Sequence, residues 1–267
     1  YKILYSSGTS GAKSKIYLDK KNAALQTKIL NEILSKELGS KRLPMLILDR
    51  ENICQTDRNS ARTAAIVGFS MKGKKILFAF DKSFKLKKKI IAEFLKNHKN
   101  EKIFIFGFTS IIYEYFIKLN YKFDLKNSIL IHGGGWKKIE KLGITNKIFK
   151  KKLNEKFAIK KIINYYGMIE QTGSIFFECP KCENFLSTKY SDIIVRDEKL
   201  NIQKKNKLGI IQTLSSLPSS YPGNTILTED MGMIVDGVNC KCNKSLTKFR
   251  ILKRLQKSEI RGCSDAV

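Results

Sequence analysis

Short apolar runs alternate with amphipathic stretches through the first 165 residues, and this alternation constrains the fold more than any other feature of the sequence. The runs occupy residues 45–49, 76–80, 102–107, 128–132 and 161–166. Runs of this length and composition are typical of buried strands. Strands that are separated by helices predict βαβ units and a largely parallel sheet.

The stretches between these runs have helical periodicity. One helix is predicted to begin after Asp19, whose side chain can cap it, and to end before Gly39. A second helix is predicted from about residue 109 to 119, and a basic helix is predicted to follow the glycines at 133–135 and end near Phe157. The apolar positions that follow the 3.6-residue period of the first helix are Leu25, Ile29, Ile33, Leu34 and Leu38.

The character of the sequence changes after Gly173. Short β-like stretches follow, divided by Pro, Gly, Ser and Asn turns. This pattern favours antiparallel or mixed sheet. The predicted fold class is therefore α/β, with parallel βαβ layers followed by a β-rich part, and the boundary of a further small domain is placed near Arg254.

The chain carries a large excess of positive charge. Its 51 Lys and Arg outnumber its 24 Asp and Glu, which gives a formal net charge of +27. Such an excess favours polyanions such as nucleic acid, an anionic membrane surface or nucleotides. The lysines are spread over the whole chain and fill the polar faces of amphipathic stretches. This distribution favours a solvated lysine-rich surface over a dedicated nucleic-acid site.

Composition and termini narrow the class of protein. Hydrophobic residues make up 42% of the sequence, which suits a globular core. No stretch approaches the roughly 20 apolar residues that span a bilayer. We recognise no signal peptide and expect a cytoplasmic protein. The sequence opens at Tyr1 and stops within RGCSDAV, so we expect further residues at both ends of the natural chain.

A loop rich in glycine, hydroxyl groups and lysine follows the first apolar segment. Backbone N–H groups near glycines can surround phosphate oxygens, hydroxyls add donors, and lysines add positive charge. The loop matches neither GxxxxGK[ST] nor GxGxxG, and a flexible Gly/Ser turn is the alternative. The residues predicted to hold phosphates are Ser6, Ser7, Gly8, Thr9, Ser10, Gly11, Lys13 and Lys15.

Three further segments, together with this loop, resemble a known family. They read HGGGWKK at 132–138, YYGMIEQTG at 165–173 and ILTEDMG at 226–232. In order and spacing they resemble the adenylate-forming superfamily, which includes acyl-CoA synthetases, luciferases and phenylacetate–CoA ligases. The GGWK segment resembles the LuxE-like acyl-protein synthetases in particular. Taken singly, the segments also fit an ordinary strand-to-helix turn, a strand–turn–helix with one exposed acid, and a hairpin turn with acidic residues.

The resemblance implies an ATP site. It implies that the ring of Tyr166 stacks on adenine, that Glu170 holds Mg²⁺, and that Asp230 accepts hydrogen bonds from both ribose hydroxyls. Arg254 is the counterpart of a basic hinge residue near the ribose and phosphate. Beyond the phosphate loop, the residues assigned to ATP are Gly133, Gly134, Gly135, Tyr166, Gly167 and Asp230.

The resemblance also implies a domain division and a second half-reaction. Residues 1–253 would form the large domain, and 254–267 would begin a C-terminal lid. LuxE-like enzymes carry the acyl group on a cysteine near their C-terminus, and Cys263 is the candidate because a thiolate can attack an acyl-adenylate. Arg261 would favour its thiolate. A reduced cysteine without a catalytic role is the alternative.

Four of the six cysteines form two close pairs, CPKC and CKC. Without a secretion signal, such pairs favour metal or reactive thiols over disulfides. Four thiolates suit one tetrahedral Zn²⁺, and four buried thiols without metal are the alternative. The predicted zinc ligands are Cys179, Cys182, Cys240 and Cys242.

These features lead to one hypothesis and two rivals. The hypothesis is an AMP-forming ligase that uses ATP and Mg²⁺ to activate a fatty or related carboxylic acid and passes the acyl group to a protein thiol, feeding a partner reductase. The first rival is a phenylacetate-type CoA ligase. The second is a zinc-dependent nucleic-acid-binding protein, supported by the charge and the cysteine pairs.

Overall fold

The computed structural model describes residues 1–6, 14–134, 136, 139, 141–236, 240 and 245–255. The chain divides into two units. The first comprises Tyr1–Leu30 and the described residues from Tyr165 onward, and the second comprises Asn31–Asn164.

Strands and helices alternate up to residue 167, and strands predominate after it. In chain order the strands are β1 (Lys2–Tyr5), β2 (Lys15–Leu18), β3 (Leu43–Arg50), β4 (Gly73–Phe80), β5 (Ile103–Phe108), β6 (Ser128–Gly133), β7 (Lys161–Gly167), β8 (Ile175–Phe177), β9 (Phe185–Leu186), β10 (Ser191–Arg196), β11 (Gly209–Ser215), β12 (Thr225–Ile234) and β13 (Lys248–Arg254). The helices whose bounds are described are α1 (Lys20–Leu38), α2 (Ile53–Thr56), α3 (Ala61–Ser70), α4 (Lys88–Asn97), α5 (Thr109–Ile112), a π-helix at Tyr113–Ile117, α6 (Asn146–Phe157) and a 3₁₀ turn at Ile169–Gln171. Trp136 and Ile139 are helical as well.

The second unit is built on a parallel sheet with strand order β4-β3-β5-β6, followed by the first half of β7. The β3–β4, β3–β5 and β5–β6 pairs are all parallel. Residues Met45–Leu48 are fully buried, as continuous apolar strands are when helices cover both faces of a parallel sheet. The predicted βαβ layers are therefore confirmed.

Two predicted helices differ from the structure. The helix expected over residues 109–119 is an α-helical turn at Thr109–Ile112 that continues as the π-helix. The basic stretch is interrupted: Trp136 and Ile139 are helical, residues 141–143 form a turn, and a separate helix begins at Asn146. There the Thr145 hydroxyl accepts a hydrogen bond from the Ile148 N–H at 3.3 Å. The residues on both sides of Thr145 have helical composition, so composition alone does not place this start.

Helix α1 begins as predicted. The Asp19 carboxylate accepts a hydrogen bond from the Asn22 N–H at 2.6 Å, which satisfies one of the free donors in the first turn. Leu34 is fully buried, whereas Leu25 is 40% exposed. The buried stripe of α1 is thus narrower than the set of apolar positions with helical periodicity.

The β-rich part of the first unit is an antiparallel sheet of order β10-β11-β12-β13-β9. Its core is a cluster of buried side chains: Phe176, Ile193, Val195, Ile211 and Phe249. The segment ILTEDMG lies within β12, so the alternative of a hairpin turn is excluded. FRILKR likewise forms most of β13, and Arg254 is the last residue of that strand.

No helix in the described ranges has both the length and the apolar character needed to cross a membrane.

Candidate active site

The glycine-rich loop joins the two strands of a small antiparallel hairpin. Strand β1 pairs with β2, and Tyr5 lies opposite Lys15. At the base of the loop the Ser6 N–H donates to the Ser14 carbonyl at 3.1 Å, and the Ser6 hydroxyl accepts from the Ser14 N–H at 2.8 Å. These two bonds hold together the ends of the segment that carries the predicted phosphate ligands. The ligands outside the described residues are Ser7, Gly8, Thr9, Ser10, Gly11 and Lys13.

The carboxylate of Asp230 lies against the hydroxyl of Tyr166. Tyr166, near the end of β7, donates from Oη to Asp230 Oδ2 at 2.8 Å. Burial, and then the negative charge of Asp230, raise the pKa of Tyr166 well above its usual value of 10. The phenol therefore stays protonated and keeps donating its hydrogen bond to the Asp230 carboxylate.

The ring of Tyr166 packs against the core of the first unit. Its centroid lies 6.1 Å from that of Phe176 and 6.4 Å from that of Phe249. The ring is therefore braced on one side by aromatic neighbours, and its hydroxyl is held by the carboxylate. Gly167 follows, where a Cβ would come within 3.1 Å of the Ile175 side chain.

Arg254 completes the cluster around Asp230. It faces Asp230 across the β12–β13 pair, with Nε 3.5 Å from Asp230 Oδ1 and Nη2 3.2 Å from Glu229 Oε2. The backbone N–H of Asp230 donates to the Thr228 hydroxyl at 3.1 Å. Asp230 is thus positioned by its own strand, by β7 and by β13.

A β-bulge next to Asp230 sets the direction of its side chain. The register of β12 against β13 shifts between Met231 and Gly232, and a bulge re-aims neighbouring side chains. A Cβ at Gly232 would lie only 2.0 Å from the Arg250 carbonyl oxygen. The close approach of the two strands therefore requires glycine here.

Glu170 lies in the 3₁₀ turn after β7. Within the described ranges, no hydrogen bond or ion pair engages its carboxylate, so its oxygens remain available to a hard cation. The turn itself is anchored by Gln171, which is 1% exposed and donates from Nε2 to the Gly223 carbonyl at 2.8 Å. Thr172 donates to the Ile169 carbonyl at 2.8 Å.

The side chains of Gln171 and Thr172 bond backbone carbonyls and hold the turn, and Ile169 is buried at 6% exposure. The Gln171 amide lies within hydrogen-bonding distance of the Thr213, Gly223 and Asn224 carbonyls, more than 40 residues away in the sequence. No local sequence pattern reports such contacts.

The glycine triplet ends strand β6 in the second unit. Gly133 is the last residue of β6, Gly134 has a φ of +62°, and Gly135 lies outside the described residues. The residue before the triplet, His132, is fully buried and its Nδ1 lies 3.0 Å from the Thr109 hydroxyl. Burial, and then the positive charge of Lys150, lower the pKa of His132 from 6.5 to about 3. His132 is therefore a neutral buried group, and no local sequence pattern singles it out.

Three of the predicted zinc ligands come together in the first unit. Sulfur atoms of Cys179, Cys182 and Cys240 all lie within 4.8 Å of one another. Cys242 and the proposed acyl carrier Cys263, with its neighbour Arg261, lie outside the described residues.

A match to a family model identifies the family to which this chain belongs. The model described as acyl-protein synthetase, LuxE, matches residues 2–267. The chain belongs to the LuxE acyl-protein synthetase family.

Solved structures show that this LuxE-family chain has the adenylate-forming fold. ATP-bound MatB from Rhodopseudomonas palustris matches with a TM-score of 0.61 and 14% identity, over 94% of this chain and 47% of MatB. MenE from Bacillus subtilis, in complex with ATP and magnesium, matches with a TM-score of 0.62 and 12% identity, over 94% of this chain and 49% of MenE.

A luciferase-like enzyme from the mealworm Zophobas morio is also structurally similar to this chain. It has a TM-score of 0.59 and 15% identity, over 96% of this chain and 57% of that enzyme. The LuxE-family chain thus spans about half the length of these proteins. A search of curated protein sequences finds no match.

Proposed function

We propose that this chain forms the ATP-binding, adenylate-forming part of an AMP-forming acid–thiol ligase. The observation that carries the proposal is the Asp230 carboxylate, fixed between Tyr166 and Arg254 in the same unit as the hairpin loop closed by Ser6 and Ser14. The fold and the LuxE family add support from outside the site.

In the first step a carboxylate oxygen of the acid attacks the α-phosphorus of ATP. A new oxygen–phosphorus bond forms, the bond from the α-phosphorus to the bridging oxygen breaks, and pyrophosphate leaves with that oxygen. The loop of residues 6–15 holds the phosphates through N–H and hydroxyl donors and through Lys13 or Lys15. Little covalent chemistry falls to the protein, so positioning and charge stabilisation supply the rate.

Asp230 is proposed to bind the ribose. One of its oxygens already accepts from Tyr166 at 2.8 Å, and a carboxylate retains further lone pairs for two ribose hydroxyls. Arg254, 3.5 Å from the other oxygen, would supply positive charge near the nucleotide. Tyr166 therefore acts on the nucleotide through Asp230 as well as through its ring.

Glu170 is proposed to hold Mg²⁺. Its carboxylate oxygens, which bond no other residue in the described part of the chain, are the ligand type that this cation prefers, and the turn that carries it is fixed by Gln171. The ion would neutralise phosphate charge as pyrophosphate departs. The triplet Gly133–Gly135 is proposed to border the nucleotide and acyl groups.

In the second step a thiolate attacks the acyl carbon of acyl-AMP. A carbon–sulfur bond forms, the carbon–oxygen bond to phosphate breaks, and AMP leaves. We assign this thiol to Cys263, with Arg261 favouring its ionised form. The acyl group would then pass to a partner reductase. CoA in place of Cys263 is the competing acceptor.

The proposal includes the domain division and the compartment. Residues 1–253 would form the large domain, and 254–267 would begin the lid that carries Cys263 to the adenylate. We expect the enzyme to work in the cytoplasm, where ATP is abundant and thiols stay reduced.

Carboxylate-dependent ATP–pyrophosphate exchange by the full-length protein, over a panel of acids, tests this function. We expect exchange with at least one fatty or related acid and its loss in Asp230→Asn. Absence of exchange with every acid would overturn the ligase proposal and favour the nucleic-acid-binding rival. Hydroxylamine-sensitive acyl labelling that disappears in Cys263→Ser supports the protein acceptor, whereas acyl-CoA formation overturns it.

A further inference from the structure

The first pair of cysteines lies in a tight turn between β8 and β9. The Cys179 N–H donates to the Asn184 carbonyl at 2.8 Å, and the Glu183 N–H donates to the Cys179 carbonyl at 2.9 Å. Glu183 adopts a φ of +54°, which turns the chain back toward β9. The backbone of this turn is therefore fixed without any metal, and it presents Cys179 and Cys182 on one side.

The sulfur of Cys179 receives a backbone hydrogen bond. The N–H of Lys181 points at Cys179 Sγ with a separation of 3.4 Å. Hydrogen bonds of this kind orient metal ligands from outside the coordination shell. The turn thus fixes the position of the Cys179 sulfur.

A third thiol reaches this turn from a distant part of the chain. Cys240 follows β12, 61 residues after Cys179, and its Sγ lies 3.8 Å from Cys179 Sγ. Cys179 is 2% exposed and Cys240 is 9% exposed. Three sulfurs from two segments, all within 4.8 Å of one another, surround a common centre.

The sulfur separation matches metal coordination rather than a disulfide. Four sulfurs placed at about 2.3 Å from a tetrahedral Zn²⁺ are about 3.8 Å apart, whereas bonded sulfurs are about 2.05 Å apart. The Cys179–Cys240 separation of 3.8 Å equals the tetrahedral edge. Soft thiolates select zinc over magnesium or calcium, which prefer oxygen ligands.

We propose that Cys179, Cys182 and Cys240 bind one Zn²⁺ that fastens the β8–β9 turn to the segment that follows β12. On binding, each thiol gives its proton to solvent and its sulfur forms a bond to the metal. Cys242, two residues after Cys240, remains the fourth ligand predicted from the sequence and lies outside the described residues.

The same metal would support β12 and β13, the strands that carry Asp230 and Arg254. The turn is bonded to β13, because Arg250 Nε donates to Asn184 Oδ1 at 2.6 Å. Strand β13 pairs with β9 on one side and with β12 on the other. A cross-link between the turn and the segment that follows β12 would therefore support the β12–β13 register in which Arg254 faces Asp230.

Metal content and affinity test the site in the full-length protein, purified under reducing conditions without a polyhistidine tag. We expect about one Zn²⁺ per chain by elemental analysis. After chelator treatment, added Zn²⁺ should rebind and raise the thermal midpoint. Added Co²⁺ should give the absorption of a tetrahedral thiolate complex. These measurements need neither ATP nor acid, so their outcome is independent of adenylation.

Variants locate the metal. Cys179→Ser and Cys240→Ser should each weaken Zn²⁺ binding about tenfold or more, measured against a competing chelator. Cys54→Ser is the matched control and should bind zinc like the wild type, since Cys54 lies in the second unit. If either cluster variant does not fold, rebinding by the stripped wild type still decides the question. Failure of the reduced wild type to take up zinc, or undiminished zinc in both cluster variants, overturns the proposal.

Discussion

Tyr166 Oη donates a hydrogen bond to Asp230 Oδ2 at 2.8 Å, across 64 residues of sequence. The two residues come from different kinds of strand. Tyr166 lies at the end of β7, where the alternating strand–helix part of the chain gives way to the β-rich part, and Asp230 lies in an antiparallel strand. Their bond joins two of the sequence motifs into one cluster.

Replacing Tyr166 with Phe should weaken ATP binding more than it affects turnover. The phenol stays protonated because its pKa is raised, so the variant loses a donor to a charged acceptor, which is worth about 1.5–3 kcal/mol. We expect the KM for ATP in pyrophosphate exchange to rise about tenfold, with little change in kcat. Tyr121→Phe, in the second unit, is the control. A wild-type KM in Tyr166→Phe would show that the hydroxyl does not support the ribose carboxylate.

Replacing Glu170 with Gln should change the response to Mg²⁺. The substitution keeps the size of the side chain and removes its charge, so the cation loses one anionic ligand. We expect the Mg²⁺ concentration for half-maximal exchange to rise about tenfold, whereas the KM for ATP measured at saturating Mg²⁺ should change little. Glu155→Gln, on the exposed face of α6, should behave like the wild type. An unchanged Mg²⁺ titration in Glu170→Gln would place the metal elsewhere.

Local sequence patterns predicted the strands better than the contacts of the site. The run at 45–49 is buried on both faces of the sheet, so its length and apolar composition identify β3. The position of Asp230 within a strand is harder to predict from sequence, because the residues Thr-Glu-Asp also suit a turn when the neighbouring strand is unknown. The anchoring of Glu170 by Gln171 depends on a segment more than 50 residues away, and no local pattern reports such a contact.

Introducing a side chain at Gly232 should displace Asp230 and Arg254 indirectly, through the strands that carry them. A Cβ would meet the Arg250 carbonyl oxygen at 2.0 Å, so β12 and β13 must separate next to the pair formed by Asp230 and Arg254. We expect Gly232→Ala to lower the free energy of unfolding by about 2 kcal/mol or more and to raise the KM for ATP. Urea unfolding and pyrophosphate exchange measure the two effects.

Gly143→Ala is the control for the bulge. Gly143 has a φ of +69° but no atom within 4 Å of an added Cβ, so only the conformational cost of about 1 kcal/mol should appear. The ATP dependence should be that of the wild type. If Gly232→Ala is no less stable than Gly143→Ala, the close strand approach does not require glycine.

The buried His132 should make the protein less stable in acid, because its imidazole gains a proton on unfolding. Burial lowers its pKa from 6.5 to about 3, so between these values the unfolded chain binds a proton that the folded chain does not. The free energy of unfolding therefore falls as pH falls below 6.5, with a limiting slope of about 1.4 kcal/mol per pH unit. Between pH 6.5 and 4.5 this one group should cost the fold about 2 kcal/mol.

The variant His132→Gln isolates that contribution, because glutamine cannot gain the proton. Carboxylates titrate over the same range in both proteins, so the difference between the two pH profiles cancels them. We expect wild-type stability, measured by urea unfolding, to fall about 2 kcal/mol more than that of the variant between pH 6.5 and 4.5. The comparison uses slopes, so any constant loss from repacking around Thr109 and Phe149 drops out. Parallel profiles would mean that His132 is protonated as readily in the folded protein as in the unfolded chain, and that its site admits water.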